Sequence, residues 1–282
     1  MTTFDWKNIS EEKIADVFNT LQSGRPKKVV GNAPHKQEAG QKMSIVVPEG
    51  QSLELPILEA QAGISLLEIT LKPHSQLKLT YLQNGTETQH SVMIIRTTLE
   101  EGAHLESFFG MFGGAISSLL VDTQLAGAQS TVQEKTIYFG NGDQIFDMFS
   151  NTVLTGKNST AEIESKGILT GRAQGRFDGN IIITQSAKQS QARLLEHTLL
   201  LSPEAKMNAI PGLKIETNDV MATHSASMTR VDEEQLFYAA ARGIDEETAI
   251  RAIAEGFLKT LAQSFPEPEK VEELIAQKFK HA

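Results

Sequence analysis

The feature that most restricts the fold of this chain is a strand-turn-strand pattern that recurs between about residues 43 and 228. Each copy ends one apolar strand, crosses a short turn of small or polar residues, and begins another strand. Most copies lie roughly 24 to 30 residues apart, the spacing of one coil in a solenoid. The copies read VVPEGQSLEL, TLKPHSQLKL, TLEEGAHLES, QLAGAQSTVQ, VLTGKNSTAE and ITQSAKQSQA.

The segments between these turns limit the choice of architecture. They contain no amphipathic helix of about ten residues, so the crossover helices of a doubly wound α/β fold are missing. A β-solenoid and a β-sandwich both remain compatible with many short strands. The recurring turn, and strands that end in Ser, Gln, Thr or Ala, favour the solenoid over the sandwich. We therefore predict a mostly β chain whose solenoid core spans residues 43–229.

The last part of the chain, residues 230–282, changes to helical spacing. Asp232 stands before an acidic turn and predicts the N-cap of a first helix, which Gly243 closes in the C-terminal capping position. Asp245 predicts the N-cap of a second helix, whose apolar residues follow the i, i+3, i+4, i+7 pattern. These apolar residues are Ile250, Ile253, Ala254, Phe257, Leu258 and Leu261.

A third helix follows Pro266 and Pro268, which end the second one. Its apolar residues are Val271, Leu274, Ile275 and Phe279. The apolar face of these helices has to be buried, and two interpretations remain. The helices pack on the end of the solenoid, or a partner protein covers part of them in addition to that packing.

The N-terminal segment, residues 1–42, predicts an appendage to the core. Ser10 can cap a short helix, and the stretch from Ser23 to Gly40 is rich in Gly, Pro and Lys, which is typical of a linker or mobile loop. The start of the chain has no basic and apolar leader, and no later stretch reaches the length of a membrane span. We expect a cytoplasmic protein that does not bind membranes.

The composition excludes several kinds of chemistry. The chain has no cysteine, which removes disulfides, thiol catalysis and thiolate-held iron-sulfur clusters. Its formal net charge is −9, which disfavours nucleic acid as a partner because phosphate contacts require a basic surface. The sequence also lacks a Walker A loop, a G-x-S-x-G elbow and an H-E-x-x-H pair.

One histidine of the seven stands in a context that suggests a function. His224 occupies the polar, small-residue stretch 223–227 at the last strand before the helices, with Glu216 and Asp219 upstream. A histidine at a strand terminus is more often a capping or hydrogen-bonded structural residue. Residue type alone leaves both interpretations open.

The segment around His224 resembles a known family. Residues 177–257 join a Phe-Asp-Gly motif, LLLSPEA, a Pro-x-Leu-x-Ile strand, an Asn-Asp-Val turn, Thr223-His224, and a helix with Asp-Glu-x-x-Leu-Phe-Tyr followed by Arg-Gly-Ile. In this order, the motifs are similar to the C-terminal half of the SufB/SufD family, scaffold proteins of the SUF iron-sulfur cluster assembly system. The strand region before residue 177 resembles that family only in its general pattern of short strands.

The resemblance implies a fold and partners. The fold is a right-handed parallel β-helix that ends in a small helical subdomain. The partners are a SufC-type ABC ATPase, which docks on the C-terminal helices, and either a SufB-type chain or a second copy of this chain, which pairs through the β-helix. The region that matches the ATPase-docking site includes Asp232, Glu233, Leu236, Phe237, Tyr238, Arg242 and Gly243.

The resemblance also implies a functional histidine at His224, near the interface of the core pair. Together with Glu216 and Asp219, it forms the candidate iron or cluster site. SufB-type chains carry a cysteine thought to be needed for cluster assembly, and the cysteine that often precedes the histidine in SufD-type chains is Ala222 here. The sequence is thus SufD-like, with no tightly bound cofactor and at most a transient cluster shared with a partner.

Three functions are therefore compared. The first is a non-enzymatic scaffold subunit that pairs, docks an ATPase and contributes to cluster assembly. The second is a cysteine-free adaptor that binds the ATPase or a dimer partner without holding a cluster. The third, a carbohydrate-active β-helix enzyme, requires a carboxylate pair or a basic cluster along one solenoid face, and Asp122 and Glu134 are scattered along the chain.

Overall fold

The structure is a computed structural model that describes Lys27–Lys28, residues 42–58 and residues 63–280. The predicted helix capped by Ser10 lies outside the described residues. The predicted linker lies outside them as well, apart from Lys27–Lys28.

The described residues before the helices form strands that alternate between two sheets. Sheet A has eight strands in the order β1-β2-β4-β6-β8-β10-β12-β14, and sheet B has seven in the order β15-β13-β11-β9-β7-β5-β3. The strands are β1 Lys27–Lys28, β2 Lys42–Val47, β3 Ser52–Leu58, β4 Gly63–Leu71, β5 Gln76–Gln83, β6 His90–Leu99, β7 His104–Met111, β8 Ile116–Leu125, β9 Thr131–Gly140, β10 Ile145–Leu154, β11 Thr160–Leu169, β12 Gln174–Ile183, β13 Ser190–Leu200, β14 Lys206–Ile215 and β15 Val220–Arg230.

Every pairing in both sheets is parallel, and each one except β1–β2 joins a strand to the second strand along the chain. Lys42 pairs with Leu66, 24 residues away, and Gln174 pairs with Lys206, 32 residues away. Each coil therefore contributes one strand to each sheet. This confirms the predicted parallel β-solenoid and excludes the β-sandwich, whose strands pair largely antiparallel.

The recurring turn of the sequence forms one corner of the solenoid. Its central residue has a left-handed backbone in six successive coils, with φ between 55° and 65°. In each case its N–H donates to a carbonyl of the next coil, as from His74 to Glu101 and from Gln129 to Lys157. Because backbone hydrogen bonds between stacked coils hold this turn, it recurs although its side chains differ from copy to copy. The corner residues are Gly50, His74, Gly102, Gln129, Asn158 and Gln189.

Three helices follow the solenoid: α1 Glu233–Ala241, α2 Glu246–Ala262 and α3 Pro268–Phe279. Both predicted N-caps are confirmed. The Asp232 carboxylate accepts from the backbone N–H of Glu234, and the Asp245 carboxylate accepts from that of Thr248. Gly243 follows α1 with φ of 79°, as its predicted capping position requires. Within the described residues, no helix is long and apolar enough to cross a membrane.

The expectation that the helices pack on the end of the solenoid is wrong, because α2 and α3 lie across the outer face of sheet B. Ile137 and Phe139 of β9 point outward, whereas Tyr138 between them points into the lumen, so this part of the sheet is apolar on both faces. The Phe139 ring meets Phe279 of α3 edge-on, with ring centroids 4.8 Å apart. The helices pack on the outer apolar face of sheet B and leave the end of the solenoid uncovered.

Candidate functional site

The last coil of the solenoid is open. Among the described residues, β14 and β15 are the edge strands at this end of sheets A and B, each with a neighbour on one side only. Their side chains are exposed or half-buried throughout, in contrast to the alternating buried positions of β10 and β11. An edge with free N–H and C=O groups is a template for pairing with another chain.

Four large apolar side chains are exposed at this open end. Met221 and Met228 of β15 are 71% and 51% exposed, and Ile210 and Ile215 of β14 are 37% and 44% exposed. Exposed apolar side chains beside unpaired strand edges make this end a candidate site of association. We refer to β14 and β15 with these four side chains as the open end.

His224 lies in the middle of β15, paired in register with Leu194 of β13. Ala222 packs on the hydrophobic core, and His224, two residues further along the strand, shares its face. The His224 side chain is exposed because no further coil covers β15. The imidazole is therefore placed on the core-facing side of an edge strand, within the open end.

Glu216 and Asp219 lie at the corner between β14 and β15. The Glu216 carboxylate is 2.8 Å from Nζ of Lys214, which holds the pKa of this carboxyl below its usual value. The Asp219 carbonyl accepts from the N–H of Gln189. Because His224 is four residues into β15, it stands roughly 13 Å along the strand from this corner.

The structure thus does not bring His224, Glu216 and Asp219 together within one chain. Across residues 42–58 and 63–280, no group of three or more His, Asp or Glu side chains is arranged to hold a metal ion. A cluster or iron site on His224 would need ligands from a partner.

The second candidate surface is α1 with the groove beside it. No residue of α1 is buried, and Phe237 and Tyr238 are 77% and 62% exposed. The Arg242 guanidinium stacks over the Tyr238 ring at 5.1 Å. The groove between α1 and α2 has a volume of about 510 Å³ and is lined by apolar and acidic residues, among them Asp232 and Ile244.

The structure therefore gathers the predicted docking residues on one projecting helix. Asp232, Phe237, Tyr238 and Arg242 lie at or beside α1, while Leu236 is half-buried on its inner side. Glu233 is in the acidic first turn and Gly243 closes the helix.

Sequence reasoning did not predict that two acidic side chains are buried inside the solenoid. Glu134 and Glu196 are 2% and 0% exposed, and burial raises the pKa of each, that of Glu134 to about 7. The Glu196 carboxylate accepts from the hydroxyls of Tyr138 and Thr198. The alternation of side chains along a strand could have predicted the burial of Glu134, because Glu134 shares a strand face with the core residue Val132.

Together, these observations define a parallel β-solenoid protein with an open last coil and an exposed C-terminal helix. Residues 32–257 match the family described as "SUF system FeS cluster assembly, SufBD core domain". The chain belongs to this family, and the resemblance inferred from residues 177–257 is confirmed.

Several curated proteins are similar to this chain. "Protein ABCI7, chloroplastic" of Arabidopsis thaliana is 30% identical over 205 residues, which cover 72% of this chain and 43% of the plant protein. An iron-sulfur cluster assembly SufBD family protein of Staphylococcus epidermidis is 25% identical over 208 residues, 74% of this chain and 45% of that protein. A SufBD family protein of Mycobacterium tuberculosis is 25% identical over 202 residues, 24% of its length. The chain thus spans less than half the length of these relatives.

Proposed function

We propose that this chain is a non-enzymatic scaffold subunit of an iron-sulfur cluster assembly complex. It pairs through the open end of its solenoid and docks a SufC-type ABC ATPase through α1. The observation that carries this proposal is the open end, where two edge strands and four exposed apolar side chains coincide.

The pairing step follows from the physical state of the open end. An uncovered strand edge with Met221 and Met228 beside it favours contact with another strand edge. A chain of the same family offers a matching last coil, so a two-fold arrangement can cover both ends at once. The partner is a SufB-type chain or a second copy of this chain.

The docking step rests on the exposure and rigidity of α1. Phe237, Tyr238 and Arg242 are exposed on it, and tyrosine and arginine are enriched among residues that dominate binding energy. The caps at Asp232 and Gly243 fix both ends of the helix, so little conformational entropy is lost when a partner binds. The neighbouring groove offers that partner apolar surface.

His224 is the residue of this chain proposed to bind the iron-sulfur cluster, which is the cargo of the complex. Its imidazole lies on the strand that pairing covers, so it enters the interface. Neutral imidazole is a good iron ligand, and the chain has no cysteine to compete with it. In this proposal His224 supplies one ligand and the partner supplies the others.

A second candidate function is an adaptor that binds the ATPase or a dimer partner without a cluster. The separation of His224 from Glu216 and Asp219 favours this alternative, because the described chain alone gathers no ligand set. The two functions share the fold and the surfaces, and they differ in whether iron and sulfide enter the complex.

The first experiment measures mass by light scattering for this protein mixed with a SufC-type ATPase from the same source, without oxygen. We expect an assembly of two core chains and two ATPases. Met228→Lys should prevent pairing, whereas Val46→Lys, an exposed apolar position in β2, serves as the matched control. Tyr238→Ala should prevent ATPase binding and leave pairing intact. A protein that remains alone under all conditions contradicts the proposal.

The second experiment measures iron and sulfide in the complex purified without oxygen. The scaffold function predicts both in the wild type and a loss of iron in His224→Ala while the complex persists. Unchanged iron in His224→Ala contradicts a ligand role for this histidine. A complete complex that never contains iron or sulfide supports the adaptor.

A further inference from the structure

The interior of the solenoid contains a column of polar side chains. They lie at buried positions of strands that alternate between core and surface, and each is at most 3% exposed. A lumen between two sheets is usually filled by apolar side chains, since an unpaired polar group there is costly. These residues are Thr97, Ser107, Thr123, Glu134, Thr136, Ser150, Thr152, Ser165, Glu196 and Thr198.

On sheet A, three threonines form a row along the solenoid axis. Thr97 pairs with Thr123, and Thr123 pairs with Thr152. Each of the three hydroxyls is buried and has no hydrogen-bond partner. None of these three hydroxyls comes within hydrogen-bond distance of its neighbour in the row. A water molecule between two such hydroxyls can bond to both.

On sheet B, a second row continues toward the open end, as Thr136 pairs with Ser165 and Ser165 pairs with Glu196. The Ser165 hydroxyl has no partner. In Glu196, Oε1 accepts from Tyr138 at 2.9 Å and from Thr198 at 2.5 Å, while the buried Oε2 has no partner. Burial raises the pKa of Glu196, and in either protonation state the buried Oε2 requires a hydrogen-bond partner.

We propose that the lumen of the solenoid holds a file of ordered water molecules that runs from the Thr97 row to Oε2 of Glu196. Buried polar groups without a protein partner are commonly satisfied by internal water, which makes two to four hydrogen bonds. The column supplies hydroxyl and carboxyl groups at successive coils, so each water meets more than one of them.

The position of Glu196 gives this file a direction. Glu196 pairs in register with Ala226 of β15, the edge strand of the open end. The file therefore ends one strand away from the surface where a partner would bind. The Glu196 carboxyl thus lies in the coil that precedes the open end.

A crystal structure of the full chain tests the occupant directly. We expect water density within hydrogen-bond distance of the hydroxyls of Thr123 and Thr152 and of Oε2 of Glu196. An empty lumen overturns the proposal. Density with the short distances and high coordination of a bound cation overturns it as well.

Near-isosteric variants test the same proposal in solution. If water bridges the threonine row, Thr123→Val and Thr152→Val break hydrogen bonds, and each lowers Tm by about 2–4 °C, the shift for a lost bond of about 1 kcal/mol. If the lumen is dry, valine removes an unpaired hydroxyl, so Tm is unchanged or rises, which refutes the proposal. Thr98→Val, on the outer face beside Thr97, is the control for the intrinsic effect of valine.

Discussion

Lys278 of α3 connects the helical subdomain to the corner between β9 and β10. Its Nζ donates to Oδ1 of Asn141 at 2.5 Å and to Oε1 of Gln144 at 2.6 Å. Gln144 in turn donates to the Gly114 carbonyl. Burial lowers the pKa of Lys278 from 10.5 to about 8, although the charge of Glu87 opposes the shift.

The sign of the resulting pH dependence follows from this lowered pKa. Between pH 8 and pH 10.5 the unfolded chain binds a proton at Lys278 that the folded chain does not bind. The free energy of unfolding therefore rises with pH across this window and levels off above it. A shift of 10.5 to about 8 corresponds to about 3 kcal/mol, at 1.36 kcal/mol per unit.

The assay is urea unfolding at pH 8 and pH 10.5 for the wild type and Lys278→Met. The stability of the wild type relative to the variant should increase by about 3 kcal/mol between the two pH values. Lys280→Met removes an exposed charge next to the same helix and corrects for the change in net charge. A difference between the wild type and Lys278→Met that stays constant with pH refutes the argument.

Two further predictions concern stability and are checked by thermal or denaturant unfolding. Gly167→Ala places a Cβ into the Tyr138 ring and should cost about 3 kcal/mol or prevent folding, whereas Gly256→Ala, inside α2 with open space around it, should stabilise by about 0.5–1 kcal/mol. Equal effects of the two would contradict the packing described for the lumen. Asp245→Ala removes the cap to Thr248 and should cost about 1 kcal/mol, while Asp245→Asn should retain most of the stability.

Local signals in the sequence predicted the elements well. The left-handed corner recurs because each turn stacks on the next through backbone hydrogen bonds, and the sequence shows it as a repeated strand-turn-strand pattern even where the corner residue changes from Gly50 to His74 or Gln129. Asp232 and Asp245 predicted the starts of α1 and α2 because an N-cap acts within one turn of helix.

The placement of the helices was not predictable from their own pattern. An amphipathic helix shows that one face is covered, but it does not show by which surface. The surface that they cover is indicated by the run Ile137-Tyr138-Phe139, which is buried at every residue. A strand with apolar residues on both faces must be covered on both. The prediction of the candidate site was limited in a similar way. His224 and Asp219 are close in sequence, but the extended strand separates them.

The open end and α1 are linked directly by the chain. β15 ends at Arg230 and α1 begins at Glu233, so only Val231 and Asp232 connect the edge strand to the projecting helix. The Arg230 guanidinium is held by the Ser202 carbonyl at 2.9 Å, which anchors the strand end to the preceding coil. If an ATPase docks on α1 as proposed, its movement acts on the strand that carries His224 through this two-residue link. In the proposed complex, this short connection would link a docked ATPase directly to the strand that pairing covers.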